Sequence, residues 1–174
     1  MNIPSVITSV CFTGHRVLSK SEERFIKEQL PRLLGYLINN HKAKDFYAGG
    51  ALGFDTIASK VVLDIQKEYR DIKLNLILPC SNQESTWSDI QKDIYKETKE
   101  KANSVRILSP YFYNGCMQAR NKELLLSADL CIAYLRSGTS GGGSLNTVIQ
   151  ATKMGVPVIN LADPESEYIY EISK

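Results

Sequence analysis

The 174-residue sequence has few of the residues from which metal and disulfide sites are built. It contains two histidines, His15 and His41, without an H-x-x-x-H or H-x-x-E spacing, and four cysteines without a C-x-x-C pair. Zinc sites and redox-active cysteine pairs usually show such spacings. We therefore expect no bound metal, and we expect reduced cysteines in a cytoplasmic protein.

An excess of charge of one sign is also missing. Lys and Arg number 21 and Asp and Glu number 19, which gives a net charge of +2, with both signs interspersed. Nucleic-acid-binding surfaces usually carry a basic stripe or patch, so we expect no nucleic-acid partner. The uncharged N-terminal segment, residues 1–14, has no basic leader and is shorter than the roughly 18 residues of a membrane span. We expect neither export nor membrane insertion.

Composition and periodicity predict the fold class. The sequence is 43% apolar and 23% charged, which is typical of one globular domain. Short apolar runs alternate with segments of helical period. The predicted strands are Val6–Thr13, Asp45–Ala48, Leu74–Leu78, Val105–Leu108, Leu130–Leu135 and Val156–Leu161. Because most of these strands are apolar throughout, we expect an α/β fold: a three-layer αβα sandwich with a Rossmann-like, mostly parallel sheet.

Residues 1–174 are expected to form this single domain, with a core of about residues 6–162 and a short tail over 163–174. The third helix is expected to start at a capping box of Ser81 and Glu84 and to bury Trp87, Ile90 and Ile94. The first helix is expected to begin at a capping box of Ser19 and Glu22, and the second to carry Ile57–Ile65. The fourth is expected to begin near Asn114 and bury Met117, and the fifth to run from near Ser144 to Gly155.

Glycines point to a site at one edge of the sheet. Of 11 glycines, eight lie in three loops between a predicted strand and a helix: Gly14; Gly49, Gly50 and Gly53; and Gly138, Gly141, Gly142 and Gly143. The carboxyl ends of parallel strands share an edge, so these loops converge. Glycine lets a ligand approach the backbone, and helix N-termini attract anions. The loops therefore predict a phosphate site, with Ser144 and Thr147 after the glycine run as caps or ligand contacts.

Polar residues at the same edge extend the predicted site. Arg16 can pair with a phosphate, and Arg120 leans toward the edge, where a buried arginine needs an anion or an acidic partner. Asp55 is either a helix N-cap or a partner of a ribose hydroxyl. His15 is either a turn or capping residue or an acid–base group. His15, Asp55 and Arg120 are thus the candidates for a catalytic role.

Two familiar nucleotide-binding patterns are missing. The segment Gly49–Gly53 does not fit G-x-G-x-x-G, and no G-x-x-x-x-G-K-[ST] occurs. We therefore do not expect an ordinary NAD-dependent dehydrogenase or a P-loop enzyme.

Five motifs occur in order along the chain: Thr13-Gly14-His15-Arg16, Gly49 to Asp55, Pro79 with Gln83 and Trp87, Ala119-Arg120-Asn121, and Ser140 to Thr147. Together they resemble the YpsA-like branch of the SLOG superfamily over residues 8–162. The resemblance implies a Rossmann-like sensor of a nucleotide or nucleotide derivative, such as an ADP-ribose- or NAD-related molecule. It also implies self-association, and we expect no required cofactor.

Loop positions and resemblance together give one set of expected ligand-binding residues. They are Thr13, Gly14, His15, Arg16, Gly49, Gly50, Gly53, Asp55, Arg120, Asn121, Gly138, Gly141, Gly142, Gly143, Ser144 and Thr147.

Two other functions follow from related branches of the superfamily. The segment from Ala48 to Asp55 is similar to a loop of DprA, which implies binding of single-stranded DNA. LOG proteins cleave the glycosidic bond of nucleoside monophosphates with an arginine and a glutamate. Arg120 lies where that arginine is expected, but Thr147 lies at the glutamate position. LOG-like hydrolysis of a glycosidic or phosphate bond is the first alternative, and DNA binding is the second.

Overall fold

The computed structural model describes residues 4–163, which form a parallel sheet flanked by helices. The elements are β1 (Ser9–Gly14), α1 (Lys20–His41), β2 (Asp45–Ala48), α2 (Phe54–Ile65), β3 (Lys73–Leu78), α3 (Asp89–Lys101), β4 (Ser104–Ile107), α4 (Cys116–Leu126), β5 (Leu130–Tyr134), α5 (Gly143–Met154) and β6 (Val158–Asn160). The strand order is β4-β3-β2-β1-β5-β6, and all pairs are parallel. The expected Rossmann-like sandwich is confirmed.

The two faces of the sheet carry separate cores. Side chains of alternating strand residues point to opposite faces, so Val10 and Phe12 pack into one cluster and Cys11 into the other. Helices α1 and α2 and Tyr95 of α3 cover the first face, while α4 and α5 cover the second. Burial on both faces explains why the central strands are apolar throughout.

Strand order reverses beside β1. The chain builds β1 to β4 outward in one direction and then returns to place β5 on the other side of β1. The loops after β1 and β5 therefore diverge to opposite faces and leave a crevice at the carboxyl edge. In open α/β sheets this crevice is where ligands bind.

The expected start of the third helix is wrong. Helix α3 begins at Asp89, and Ser88 and Gln91 form a capping box in which both reciprocal hydrogen bonds are present. Ser81 and Glu84 lie instead in the turn segment before the helix. The hydroxyl of Ser81 donates to the carbonyl of Pro110, so it binds a residue distant in sequence and does not cap a helix.

The expected buried face of this helix is wrong as well. Ile90 is 74% exposed and Ile94 is 42% exposed, whereas Tyr95 is buried. Trp87 is partly buried against the core but precedes the helix. Because α3 starts later than predicted, the face toward the sheet is displaced by about one residue.

Strand β4 differs from its expected environment. The predicted buried strand Val105–Leu108 is an edge strand over Ser104–Ile107, and all four residues are exposed. An edge strand has a neighbour on one side only, which leaves Val105 and Ile107 40% and 49% exposed. Residues 164–174 of the predicted tail lie outside the described residues. Within the described part, no helix is both long and apolar enough to cross a membrane.

Candidate functional site

A cleft of about 270 Å³, lined mainly by polar residues and glycines, opens at the carboxyl edge where the strand order reverses. The end of β1 and its following loop form one wall, the starts of α2 and α4 contribute further residues, and the N-terminus of α5 forms the opposite wall. The cleft is lined by Phe12, Thr13, Gly14, His15, Arg16, Ala51, Asp55, Met117, Gln118, Arg120, Asn121, Gly141, Gly142, Gly143, Ser144, Asn146, Thr147 and Gln150.

Twelve of the sixteen expected ligand-binding residues line this cleft, whereas Gly49, Gly50, Gly53 and Gly138 do not. Gly49 and Gly53 have structural reasons to be glycine. A Cβ atom on Gly49 would collide with the guanidinium of Arg120. Gly53 has a φ of +76° and packs against the backbone carbonyls of His15 and Arg16. These two glycines shape the loop that supports the cleft.

Backbone N–H groups at the start of α5 face the cleft without a side-chain cap. The N-cap is Gly142, which has a φ of +101° and no side chain. The first intrahelical bond runs from Asn146 N to Gly142 O at 3.1 Å, so the preceding N–H groups have no partner within the helix. A Cβ atom on Gly141 or Gly143 would meet nothing within 4 Å. An anion can therefore approach this backbone closely.

Ser144 lines the cleft but is not the expected helix cap. Its hydroxyl donates to the carbonyl of Gly14 at 2.7 Å, and no side-chain cap is formed at the α5 N-terminus. The bond joins the first turn of α5 to the end of β1. Ser144 thus fixes the distance between the two walls of the cleft.

Arg16 is a cation of the cleft without a partner among the described residues. Its side chain is exposed and lines the cleft, and among the described residues it donates no hydrogen bond and forms no ion pair. A guanidinium without a protein partner is suited to bidentate binding of a phosphate or carboxylate.

Asp55 and Arg120 form a buried ion pair at the floor of the cleft. Their side chains are 7% and 5% exposed, and Nη1 of Arg120 lies 3.8 Å from Oδ2 of Asp55. The same Nη1 donates to the carbonyl of Gly49, while Oδ2 accepts from Gly49 N at 3.0 Å and Ala51 N at 3.4 Å. The expected acidic partner of Arg120 is therefore present.

The expectation that Asp55 is a helix N-cap is wrong. The N-cap of α2 is Gly53, and Asp55 is the second residue of the helix. Burial raises the pKa of Asp55, and the charge of Arg120 and the two backbone N–H donors oppose this. Burial likewise lowers the pKa of Arg120, and Asp55 opposes it. Each charge is thus held in a buried position by the other.

A chain of side-chain hydrogen bonds links this floor to α5. Nε of Arg120 donates to Oδ1 of Asn121 at 2.8 Å, and Nδ2 of Asn121 donates to the hydroxyl of Thr147 at 2.8 Å. That hydroxyl donates in turn to the carbonyl of Gly143 at 2.8 Å. Asn121 and Thr147 thus position the guanidinium relative to the N-terminus of α5.

His15 connects the two loops that flank the crevice. Its Nε2 accepts a hydrogen bond from the backbone N–H of Arg136 at 3.0 Å, which requires an unprotonated Nε2. Burial and the nearby charge of Arg136 lower the pKa of His15, and Glu22 opposes this. While the bond is made, Nε2 is not available to a ligand, and His15 holds the β5–α5 loop in place.

Glu22 and Arg136 reinforce the same connection. Nε and Nη2 of Arg136 bind the carboxylate of Glu22 at 2.6 and 2.8 Å, and Nη2 also donates to the carbonyl of Val17 at 2.8 Å. The hydrogen bonds from Arg136 hold the pKa of Glu22 at about 2. Sequence reasoning missed this pair, because its partners are 114 positions apart.

Sequence reasoning also missed six residues that line the cleft. They are Phe12, Ala51, Met117, Gln118, Asn146 and Gln150. Met117 was expected in the core, but it is only partly buried, because α4 directs it toward the crevice. A signal for two others was available: residues 143, 146, 147 and 150 share one helical face. Among the described residues, no cluster of His, Cys, Asp and Glu could hold a metal ion.

Fold and cleft together define the class of protein, a Rossmann-like α/β protein with a polar crevice at its strand-order switch point. The family model described as "YspA SLOG family" matches residues 12–155. The chain therefore belongs to this YpsA-like SLOG family, as the motifs indicated.

Curated relatives are similar over parts of the chain. A UPF0398 protein of Brevibacillus brevis is 27% identical over 111 residues, which is 64% of this chain and 52% of that protein. The uncharacterized SPbeta prophage-derived protein YoqJ of Bacillus subtilis is 27% identical over 142 residues, or 75% of this chain and 83% of YoqJ. The UPF0398 protein YpsA of the same species is 30% identical over 74 residues, or 42% and 41%. The chain spans about half the length of the Brevibacillus relative.

Proposed function

We propose that the protein binds a nucleotide or nucleotide derivative, of the ADP-ribose- or NAD-related kind, in the cleft and acts as a cytoplasmic sensor or regulator. The observation that carries the proposal is the start of α5. Its N-terminal N–H groups are uncapped, the adjoining glycines leave the backbone open, and Arg16 lines the same cleft. Helix dipole, N–H donors and a free guanidinium together favour a phosphate.

The remaining wall suits the uncharged parts of such a ligand. Gln118, Asn146 and Gln150 place amides along α4 and α5, and amides can donate to and accept from hydroxyls and base edges. The cleft volume of about 270 Å³ is near the lower end of small-molecule sites, which start at roughly 300 Å³. The four cysteines are all free, in keeping with a reducing compartment.

The first test is native mass spectrometry of freshly purified protein, followed by denaturation and identification of any released molecule. A co-purified nucleotide derivative would support the proposal and identify the ligand. If no molecule is released, the next test is isothermal titration calorimetry with AMP, ADP-ribose, NAD and inorganic phosphate. Absence of binding to all four would contradict the proposal.

A matched pair of arginine variants tests the position of the site. Arg16→Ala should weaken binding by about tenfold or more, because it removes the free cation of the cleft. Arg24→Ala is the control, since Arg24 is also exposed but does not line the cleft. Equal affinities of Arg16→Ala and wild-type protein would show that the ligand binds elsewhere.

Hydrolysis of an N-glycosidic or phosphate bond is the second candidate function. One observation favours it: Asp55 lines the cleft with its pKa raised by burial, and Arg120 lies beside it for charge stabilisation. Chromatography of AMP, NAD and ADP-ribose after incubation would detect free base or ribose phosphate. Product formation that disappears in Asp55→Asn would establish the enzyme, and product equal to the buffer blank would exclude it for these substrates.

A further inference from the structure

The two charged residues at the floor of the cleft each keep one polar atom free. Arg120 donates through Nη1 and Nε, and its Nη2 donates to no described residue. Asp55 accepts through Oδ2, and its Oδ1 accepts from no described residue. Both residues are more than nine-tenths buried, with 4% and 5% exposure, and both line the cleft.

These two free atoms are open to the cleft. In the described part of the chain, the enclosed side-chain polar atoms without a partner are Oγ of Ser59 and Oε2 of Glu84. Nη2 of Arg120 and Oδ1 of Asp55 are therefore accessible, and the cleft is the surface that their side chains line. A donor and an acceptor of the same buried ion pair thus border the cleft.

A hydroxyl group complements this pair. The guanidinium can only donate and an ionised carboxylate can only accept, whereas a hydroxyl donates one hydrogen bond and accepts others. A hydroxyl can therefore donate to Oδ1 of Asp55 and accept from Nη2 of Arg120. A second phosphate is disfavoured here, because it would lie against the carboxylate.

The hydrogen-bond chain between the floor and α5 indicates which hydroxyl is meant. Only two side chains, Asn121 and Thr147, connect Nε of Arg120 to the carbonyl of Gly143 at the start of α5. With the phosphate at the α5 N-terminus, we expect the group that reaches the floor to be the one bonded directly to the phosphate. In a nucleotide this group is the sugar, and the base lies farther away.

We propose that Asp55 and Arg120 bind a hydroxyl of the sugar next to the phosphate, so that the cleft selects ribosyl phosphates over their deoxy counterparts. This inference rests on the proposed function. A site built to hydrogen-bond a hydroxyl rejects the analogue without it, because the buried polar atoms of the site then remain unpaired.

Three probes that differ by one hydroxyl test the inference: AMP, 2′-deoxy-AMP and 3′-deoxy-AMP, each titrated calorimetrically into wild-type protein. At least one deoxy compound should bind about tenfold or more weakly than AMP, since it leaves one buried pair unsatisfied. Equal affinity for all three would overturn this inference and leave the proposed function intact. No binding of the three or of inorganic phosphate would overturn both.

Variants assign the discrimination to the floor of the cleft. In Asp55→Asn the amide oxygen can still accept hydrogen bonds from the N–H groups of Gly49 and Ala51. The NH₂ group, which is a donor, then takes the place of the acceptor Oδ1 at the cleft. The AMP to deoxy-AMP ratio should then fall to about threefold or less. Arg16→Ala is the control and should weaken all three probes while preserving the ratio. A wild-type ratio in Asp55→Asn, with a native circular dichroism spectrum, would overturn the role of Asp55.

Discussion

Nη1 of Arg120 and Oδ2 of Asp55 lie 3.8 Å apart at a site where both side chains are buried. Each charge has lost most of its hydration, so each depends on the other and on the backbone of the Gly49 loop. Removing one charge of such a buried pair lowers stability more than replacing both charges with uncharged residues.

Removal of one partner should therefore be strongly destabilising. Arg120→Met leaves Asp55 buried without its cation and should lower the free energy of unfolding by about 3–5 kcal/mol. The double variant Asp55→Asn with Arg120→Met removes both charges and should recover at least about 1 kcal/mol of that loss. Urea denaturation of the four proteins of this cycle measures the coupling. A double variant as unstable as the sum of the single ones would show that the pair is not coupled.

Two glycine-to-alanine variants should separate support of the cleft from access to it. Gly49→Ala places a methyl group against the guanidinium of Arg120 and should cost about 1–3 kcal/mol in stability. Gly141→Ala meets open space and should change stability by less than about 0.5 kcal/mol. In Gly141→Ala the added methyl group lies at the cleft wall, so phosphate affinity should fall instead. Urea midpoints and phosphate titrations distinguish the two effects, and equal midpoints would contradict the first.

The Glu22–Arg136 pair should contribute stability that depends on pH. The pKa of Glu22 falls from 4.5 to about 2 on folding, so its contribution is fully present above pH 4.5 and is lost as pH falls toward 2. Arg136 is partly exposed, and solvent screening reduces the contribution to about 1 kcal/mol. At pH 7 the free energy of unfolding of the wild-type protein, measured with urea, should exceed that of Glu22→Gln by this amount. The difference should narrow between pH 4.5 and pH 3. A difference that is constant over this range would contradict the assignment.

His15 should titrate below its ordinary value. Burial and Arg136 lower its pKa from 6.5, so the folded state favours the neutral ring, and stability is lost as pH falls below 6.5. NMR titration of the imidazole signals measures the midpoint, and His41→Gln leaves a single imidazole for assignment. The backbone N–H resonance of Arg136 should shift at the same midpoint, because it donates to Nε2. A midpoint at or above 6.5 would exclude the hydrogen bond as described.

The sequence allowed prediction of those features that depend on local pattern. Apolar strands and glycine loops gave the sheet and the edge where the cleft opens, because the carboxyl ends of parallel strands necessarily meet. The start of α3 could not be predicted in this way, since Ser81 and Glu84 show the same capping spacing as Ser88 and Gln91. A contact with Pro110, 29 positions away, accounts for the different role of Ser81.

Gly49 illustrates the same limit at the candidate site. A glycine after a strand suits either a ligand or a neighbouring side chain, and the local sequence is identical in both cases. Its neighbour is Arg120, which lies 71 positions away. Only the folded arrangement of β2 and α4 brings the two together.

The bond between Ser144 and Gly14 joins parts of the chain 130 positions apart across the cleft. The cleft walls exist together only when the sheet is assembled, so a ligand that bridges them has no equivalent site in the unfolded chain. Such a ligand shifts the folding equilibrium by RT ln(1 + [L]/Kd), which is about 2.7 kcal/mol at one hundred times Kd. The melting temperature of the whole domain is therefore a direct readout of cleft occupancy, and ligands can be screened by thermal shift without any assay of activity.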